Sequence, residues 1–205
     1  MPEVRARSLR LQLLLMLAIV GASLGLGFWL LPDSPEEERS LLSRLGTTNR
    51  GLFLSPPPSL AALPLRDERD RPWRADGQRP RWRILVVGAG DCEGICGEWL
   101  LASRQVHIRL GKNAHRVERV LVLAPPRPGP LARARIAVQH PHVPVVRAES
   151  EALARWLAGG GIRWTPRDGL ALVVDPRGRA VLAYDRRHSG EDLLEDLEHL
   201  LKYSP

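Results

Sequence analysis

Ile84-Leu85-Val86-Val87-Gly88-Ala89-Gly90-Asp91-Cys92-Glu93-Gly94-Ile95-Cys96-Gly97-Glu98-Trp99-Leu100-Leu101 is the stretch whose reading decides the fold. An apolar, β-branched run stops at two glycines, and a helical pattern starts straight afterwards. The only two cysteines of the chain sit at this junction, four positions apart. A helix beginning near Cys92 puts both sulfurs on one face of its first turn. There the unpaired N–H groups and the positive end of the helix dipole favour a thiolate, while Asp91 and Glu93 oppose it. The junction therefore offers two sulfurs close enough for a disulfide or for one soft metal ion. Gly88-Ala89-Gly90 is not a phosphate loop, because the third glycine and the lysine are missing.

Outward from this junction the pattern is regular. Trp82 to Val87 reads as a buried strand, and Cys92 to Leu110 as a helix ended by Gly111. Val117 to Leu123 is a second strand, Leu131 to Gln139 a short helix, and Val143 to Val146 a short strand. Ser150 caps a helix through Leu157, stopped by Gly159-Gly160-Gly161. Leu170 to Val174 and Ala180 to Tyr184 flank Asp175-Pro176-Arg177-Gly178, a tight hairpin turn. Ser189 caps the last helix, with Asp192 completing a capping box. The order β-α-β-α-β-α-β-β-α implies an α/β domain over residues 81–205, its sheet covered on both faces and closed by an antiparallel hairpin.

The N-terminal part is different in kind. Residues 11–31 form a nearly unbroken apolar run, long enough to span a bilayer as a helix. Arg5, Arg7 and Arg10 precede it within residues 1–10, and acids follow, so the N-terminus stays in the cytoplasm and the body lies beyond the membrane. The run is long for a signal-peptide core and no A-x-A-like site precedes Pro32, which favours an uncleaved single-pass anchor in the inner membrane with the body in the periplasm. Residues 32–80 read as a juxtamembrane helix (Ser34 to about Leu45), then a proline-broken linker and N-terminal extension with one short strand. The formal charge of +7 is scattered arginine with acids between. No helix-turn-helix or RNA-binding signature accompanies it, which excludes nucleic acid as the partner; a bland basic surface, or attraction to anionic lipid, fits better.

The element order, with the cysteine pair between first strand and first helix, resembles the thioredoxin fold: a central mixed sheet flanked by helices, here behind a transmembrane helix. Thr165-Pro166 ahead of the strand at Leu170 is similar to that fold's cis-proline, which faces the cysteines. The C-x-x-x-C spacing behind a membrane anchor resembles the Sco/SenC group of copper-handling proteins of cytochrome c oxidase assembly. That resemblance, over roughly residues 80–203, implies copper-binding, redox-active roles for Cys92 and Cys96, with oxidase subunits or other copper-assembly proteins as partners. Thr165-Pro166-Arg167-Asp168 stands where the group has a histidine ligand. Pro125 to Pro130 replaces the acidic segment after the second strand.

Three chemistries follow. Cu(I) accepts two thiolates with an imidazole as optional third ligand; no cofactor is required otherwise. His188, beside the last helix cap, is the candidate third ligand, because His107 lies about 16 Å along the helix from Cys96. Thiol–disulfide exchange, the one enzymatic reading, needs an exposed attacking thiolate, Cys92, and a resolving partner, Cys96. Trp82, Trp99 and Trp164 are expected around the pair. The bland alternative is a structural bridge or a scaffold that works by docking, although so short a loop gains little from closure.

Overall fold

A computed structural model describes residues 2–29, 49–75 and 80–204, and the chain divides into two units, residues 1–47 and 48–205. In the first unit, α1 (Pro2–Trp29) runs through most of the apolar stretch read as an anchor. Its described side chains include Leu14, Leu17, Ile19, Val20 and Leu24, all exposed, and the Ser23 hydroxyl is turned back onto the Ile19 carbonyl at 2.8 Å. Among the described residues no helix is long and apolar enough to cross a membrane. Leu30, Leu31 and the juxtamembrane helix expected from Ser34 to Leu45 lie outside the described residues.

The second unit is built on the buried run at residues 82–89. β4 (Trp82–Ala89) lies in the middle of an eight-stranded sheet of order β1 (Leu52–Phe53), β8 (Ala180–Tyr184), β7 (Leu170–Val174), β4, β5 (Val117–Ala124), β6 (Val145–Arg147), β2 (Leu65–Arg66), β3 (Pro72–Trp73). It pairs in parallel with β5 (Val117–Ala124), from Trp82 opposite Val117 to Ala89 opposite Ala124. On its other side it pairs antiparallel with β7 (Leu170–Val174). β6 (Val145–Arg147) extends the parallel part, and β8 (Ala180–Tyr184) closes the hairpin with β7. Alternation along β4 divides its side chains between two cores. Ile84 and Val86 join α2 (Ile95–Arg109), α3 (Pro130–Gln139) and α5 (Gly190–Tyr203) on one face. Leu85 and Val87 meet α4 (Ser150–Gly159) on the other. The capping box of α5, Ser189 with Asp192, is formed as read.

The N-terminal extension is more ordered than its sequence suggests. Instead of one short strand it supplies three: β1 (Leu52–Phe53) on β8, and β2 (Leu65–Arg66) with β3 (Pro72–Trp73) beside β6. The sheet thereby ends on a two-residue strand at each edge, β1 and β3, which leaves little open edge for another chain to pair with. Leu54, Leu60, Leu63 and Leu65 are buried against the α4 side, each contributing about 1.5–3 kcal/mol. The Trp156 indole N–H donates to the Ser59 carbonyl at 2.7 Å and ties α4 to the same segment. Two-residue strands carry no periodicity of their own, so the sequence shows their apolar anchors and not their pairing.

Smaller differences concern ends. β6 starts at Val145, two residues later than read, and Ser150 is the first residue of α4, with Glu149 in the cap position. The start of α2 matters more. Cys92 (φ 52°) and Gly94 (φ 55°) both adopt left-handed backbone, which an α-helix of L-residues does not continue through. The helix therefore begins at Ile95, and Cys92 stands in the turn before it.

Candidate functional site

Cys92 and Cys96 form a disulfide with their Cα atoms 5.0 Å apart. Cys92 sits in the turn that leaves β4, its N–H donating to the Ala89 carbonyl at 3.2 Å. Cys96 is the second residue of α2, where free helix N–H groups point toward its sulfur end of the helix and favour negative charge. The two cysteines are thus not both on a helical turn, yet the left-handed backbone at Cys92 brings the sulfurs together all the same.

Glycines make the close packing possible. A β-carbon on Gly88 would stand 2.7 Å from the Cys96 Cβ, and one on Gly97 would stand 3.1 Å from the Cys92 carbonyl oxygen. A β-carbon on Gly169 would stand 2.6 Å from the Ile95 carbonyl carbon, against the backbone that carries Cys96. As a consequence both cysteines are buried, Cys92 at 3 % and Cys96 at 4 % exposure. This corrects the expectation that Cys92 lies nearest solvent: the sulfur pair is packed beneath its neighbours. A cleft of about 570 Å³ between α2 and α3 reaches this turn, and its lining includes Cys92 but not Cys96.

The acidic residues flanking Cys92 are held away from it. Asp91 accepts the Gly129 N–H at 2.7 Å, and Arg135 donates to the Asp91 carbonyl at 2.8 Å. Arg135 also faces Glu93 at 3.6 Å. The proline-rich segment after β5 therefore braces the cysteine turn from the outside, a role its composition did not announce.

Two expected site residues are elsewhere. The cis bonds among the described residues are Ser55–Pro56 and Pro125–Pro126, and Thr165–Pro166 is not one of them. Pro166 is exposed in a turn closed by the Asp168 N–H donating to the Thr165 carbonyl at 2.9 Å, where a trans proline has the φ that the turn requires. The residue that meets the cysteine pair from this loop is Gly169, directly ahead of β7. His188 is likewise occupied: its Nδ1 lies 2.9 Å from Asp185 Oδ1, and its ring packs edge-on against Tyr184 at 5.7 Å. Among the described residues no three His, Cys, Asp or Glu side chains stand together as a metal site. Of the tryptophans, Trp99 and Trp82 share the core of the cysteines, but Trp82 is at the far end of β4, and Trp164 belongs to the opposite core.

One residue not singled out as a site lines the same cleft as Cys92. His140, at the end of α3, is buried, and its Nδ1 is 3.4 Å from Arg119 Nη2. Burial first, then the charges of Arg119 and Arg104, hold its pKa below the usual imidazole value. Arg119 also donates to the Ser103 hydroxyl and the Leu100 carbonyl. Burial and the neighbouring Arg104 lower its own pKa to about 10.

Residues 82–204 match a family model described as transmembrane-like, thioredoxin-like, C-terminal domain. No curated protein matches the sequence. Among solved structures, BsSco, a member of the Sco family of cytochrome c oxidase assembly proteins, superposes with a TM-score of 0.53 at 10% identity, covering 76% of this chain and 98% of that one. Arabidopsis thaliana ScoI with copper bound gives 0.51 at 16% identity, over 68% and 96%. A thiol:disulfide interchange protein from Bacteroides sp. gives 0.52 at 13% identity, over 75% and 94%. At these identities the likeness is one of fold.

Proposed function

The chain belongs to the family of transmembrane-like, thioredoxin-like C-terminal domains, and from that premise we propose that it works by thiol–disulfide exchange at Cys92 and Cys96, keeping the thiols of a partner reduced during cytochrome c oxidase assembly. The observation that carries this reading is the disulfide itself, placed between β4 and α2 with Cys92 in the lining of a cleft. In the reduced domain the Cys92 thiolate attacks a partner disulfide and forms a mixed disulfide, releasing one partner thiolate. Cys96 then attacks the Cys92 sulfur, restoring the internal disulfide and releasing the second. Two electrons pass to the partner, and an external dithiol reductant returns the domain to its starting state. The helix N-terminus lowers the cost of a thiolate on Cys96 as attacker and as leaving group.

Cu(I) as cargo has less support. Two thiolates alone can hold it, but among the described residues no imidazole joins them, and His188 is held by Asp185. Reduction of a partner's copper-ligand cysteines needs no third donor. The apolar run at residues 11–31, with Arg5, Arg7 and Arg10 before it, supports a single-pass anchor that displays the domain in the periplasm.

The test is the full-length Cys96→Ser variant, expressed in a bacterium with a cytochrome c oxidase. It should accumulate a mixed disulfide through Cys92 with an oxidase subunit or a copper-assembly protein. Absence of any trapped species in Cys96→Ser, with oxidase activity intact in a Cys92→Ser/Cys96→Ser double variant, would leave the scaffold reading. A reduced protein that retains one Cu(I) against a competing chelator would favour copper delivery instead.

A further inference from the structure

Resting on the exchange reading, we infer that the cleft beside Cys92 accepts an extended polypeptide segment carrying a carboxylate side chain about three residues from its reacting cysteine. One wall of the cleft is a stripe of α2, with Gly97, Leu101 and Arg104 at helical spacing. The other is the end of α3, where Ile136 and His140 face the same space. Cys92 stands at the Gly97 end, since a β-carbon on Gly97 would stand 3.1 Å from the Cys92 carbonyl oxygen. Seven residues of helix, about 10 Å, separate Gly97 from Arg104. An extended chain covers that distance in three residues.

The charges along the cleft are unequal. At the Cys92 end, Arg135 is already engaged by Glu93 and by the Asp91 carbonyl, so an acid beside the reacting cysteine meets a carboxylate. At the far end, Arg104 donates to the Gln139 carbonyl at 2.8 Å, and Arg119 behind it donates only to neutral acceptors. Among the described residues neither guanidinium is paired with a carboxylate. Two cations drawn together without a counter-ion, one of them largely buried, lose energy that an incoming carboxylate restores. The exposed Leu101 between the two ends supplies an apolar contact for the intervening residues.

The experiment uses full-length Cys96→Ser protein in detergent micelles and three synthetic peptides. Each carries one cysteine as a mixed disulfide with thionitrobenzoate, followed at the third position by Glu, Gln or Lys. Attack by the Cys92 thiolate on the peptide sulfur releases the thionitrobenzoate chromophore, giving the rate directly. The Glu peptide should react up to about five-fold faster than the Gln peptide and faster still than the Lys peptide. The difference should shrink in high salt and disappear in an added R104Q substitution. Arg104 is exposed, so its replacement leaves the core intact. Equal rates for all three peptides would overturn the inference while leaving exchange in place. No release from any peptide by the folded protein, with prompt release once it is denatured, would overturn the exchange reading itself.

Discussion

Gly169 lies on Ile95 so closely that a β-carbon would stand 2.6 Å from the Ile95 carbonyl carbon and overlap the Cys96 amide nitrogen. The atoms in the way are helix backbone, which cannot swing aside like a flexible side chain. Gly169→Ala must therefore push the loop ahead of β7 away from the cysteine pair. The expected cost is about 1–3 kcal/mol, with faster attack on the disulfide by a small reductant as the packing loosens. Gly159→Ala is the control, since a β-carbon there meets nothing within 4 Å; it should leave the urea midpoint and the reduction rate as they are, or raise the midpoint slightly.

Reduction should loosen the domain only modestly. A bridge closing a loop with sequence separation 4 constrains the unfolded chain by about 2 kcal/mol in the chain-entropy account. For a unit of this size that corresponds to a fall in Tm of about 4–8 °C. The measurement is calorimetry of the wild type with and without reductant, with Cys92→Ser/Cys96→Ser as a second reduced form. A collapse of the fold on reduction would make the bridge a structural staple and remove the basis for cycling it.

The strands β4, β5, β7 and β8 were legible because each carries an apolar run (residues 84–87, 120–123, 170–174 and 180–184), which a sheet buried on both faces demands, and α5 because Ser189 and Asp192 mark its start chemically. The edge strands were not, because their register rests on main-chain hydrogen bonds and their anchors, such as Leu54 and Leu60, do not alternate. At the site, the nearness of Cys92 and Cys96 followed from spacing, with a disulfide and a metal both left open, while their burial did not. Nothing in a cysteine's identity signals left-handed backbone, and the glycines at 88, 97 and 169 report close approach only once their neighbours are known. Pro166 is expected only through the resemblance, and the Arg167-Asp168-Gly169 approach to β7 puts Gly169 against Ile95 and Cys96 in its place. His188 is only a weak candidate from sequence, and Asp185, three residues back, turns onto it in the folded turn between β8 and α5.

Stability should depend on pH through His140. Burial, reinforced by Arg119 and then Arg104, depresses its pKa in the folded state. Below the ordinary imidazole value of about 6.5 the unfolded chain binds a proton that the folded chain refuses. This contribution is complete above that pH and declines as pH falls toward the folded-state pKa. The carboxylates with lowered pKa, Asp185 at about 2 among them, act at more acid pH and leave this window clean. Urea midpoints should fall between pH 7.5 and pH 5.5 in the wild type, and the slope should flatten in His140→Gln. An equal slope in the two proteins would place the protonation elsewhere.

Asp196 is a buried carboxylate used entirely as an acceptor. It takes the Tyr184 hydroxyl at 2.7 Å, the Gly51 N–H at 2.8 Å and the Arg50 N–H at 2.9 Å, and so ties the start of the second unit to α5 and β8. Burial, then this hydrogen bond, pushes the Tyr184 hydroxyl pKa upward, keeping it a donor at any ordinary pH. Asp196→Ala leaves three donors without their acceptor, two of them buried, and should cost about 3 kcal/mol or more. Tyr184→Phe removes one donor and leaves the carboxylate with both backbone partners, so the loss should be about 1–2 kcal/mol. The difference also predicts where each variant opens. In Asp196→Ala, proteolysis should begin at Arg50, whose N–H has lost its anchor, whereas Tyr184→Phe should keep that bond protected. Equal cleavage at Arg50 in both variants would show that the tyrosine, packed against Gly51, holds the segment and that the carboxylate does not.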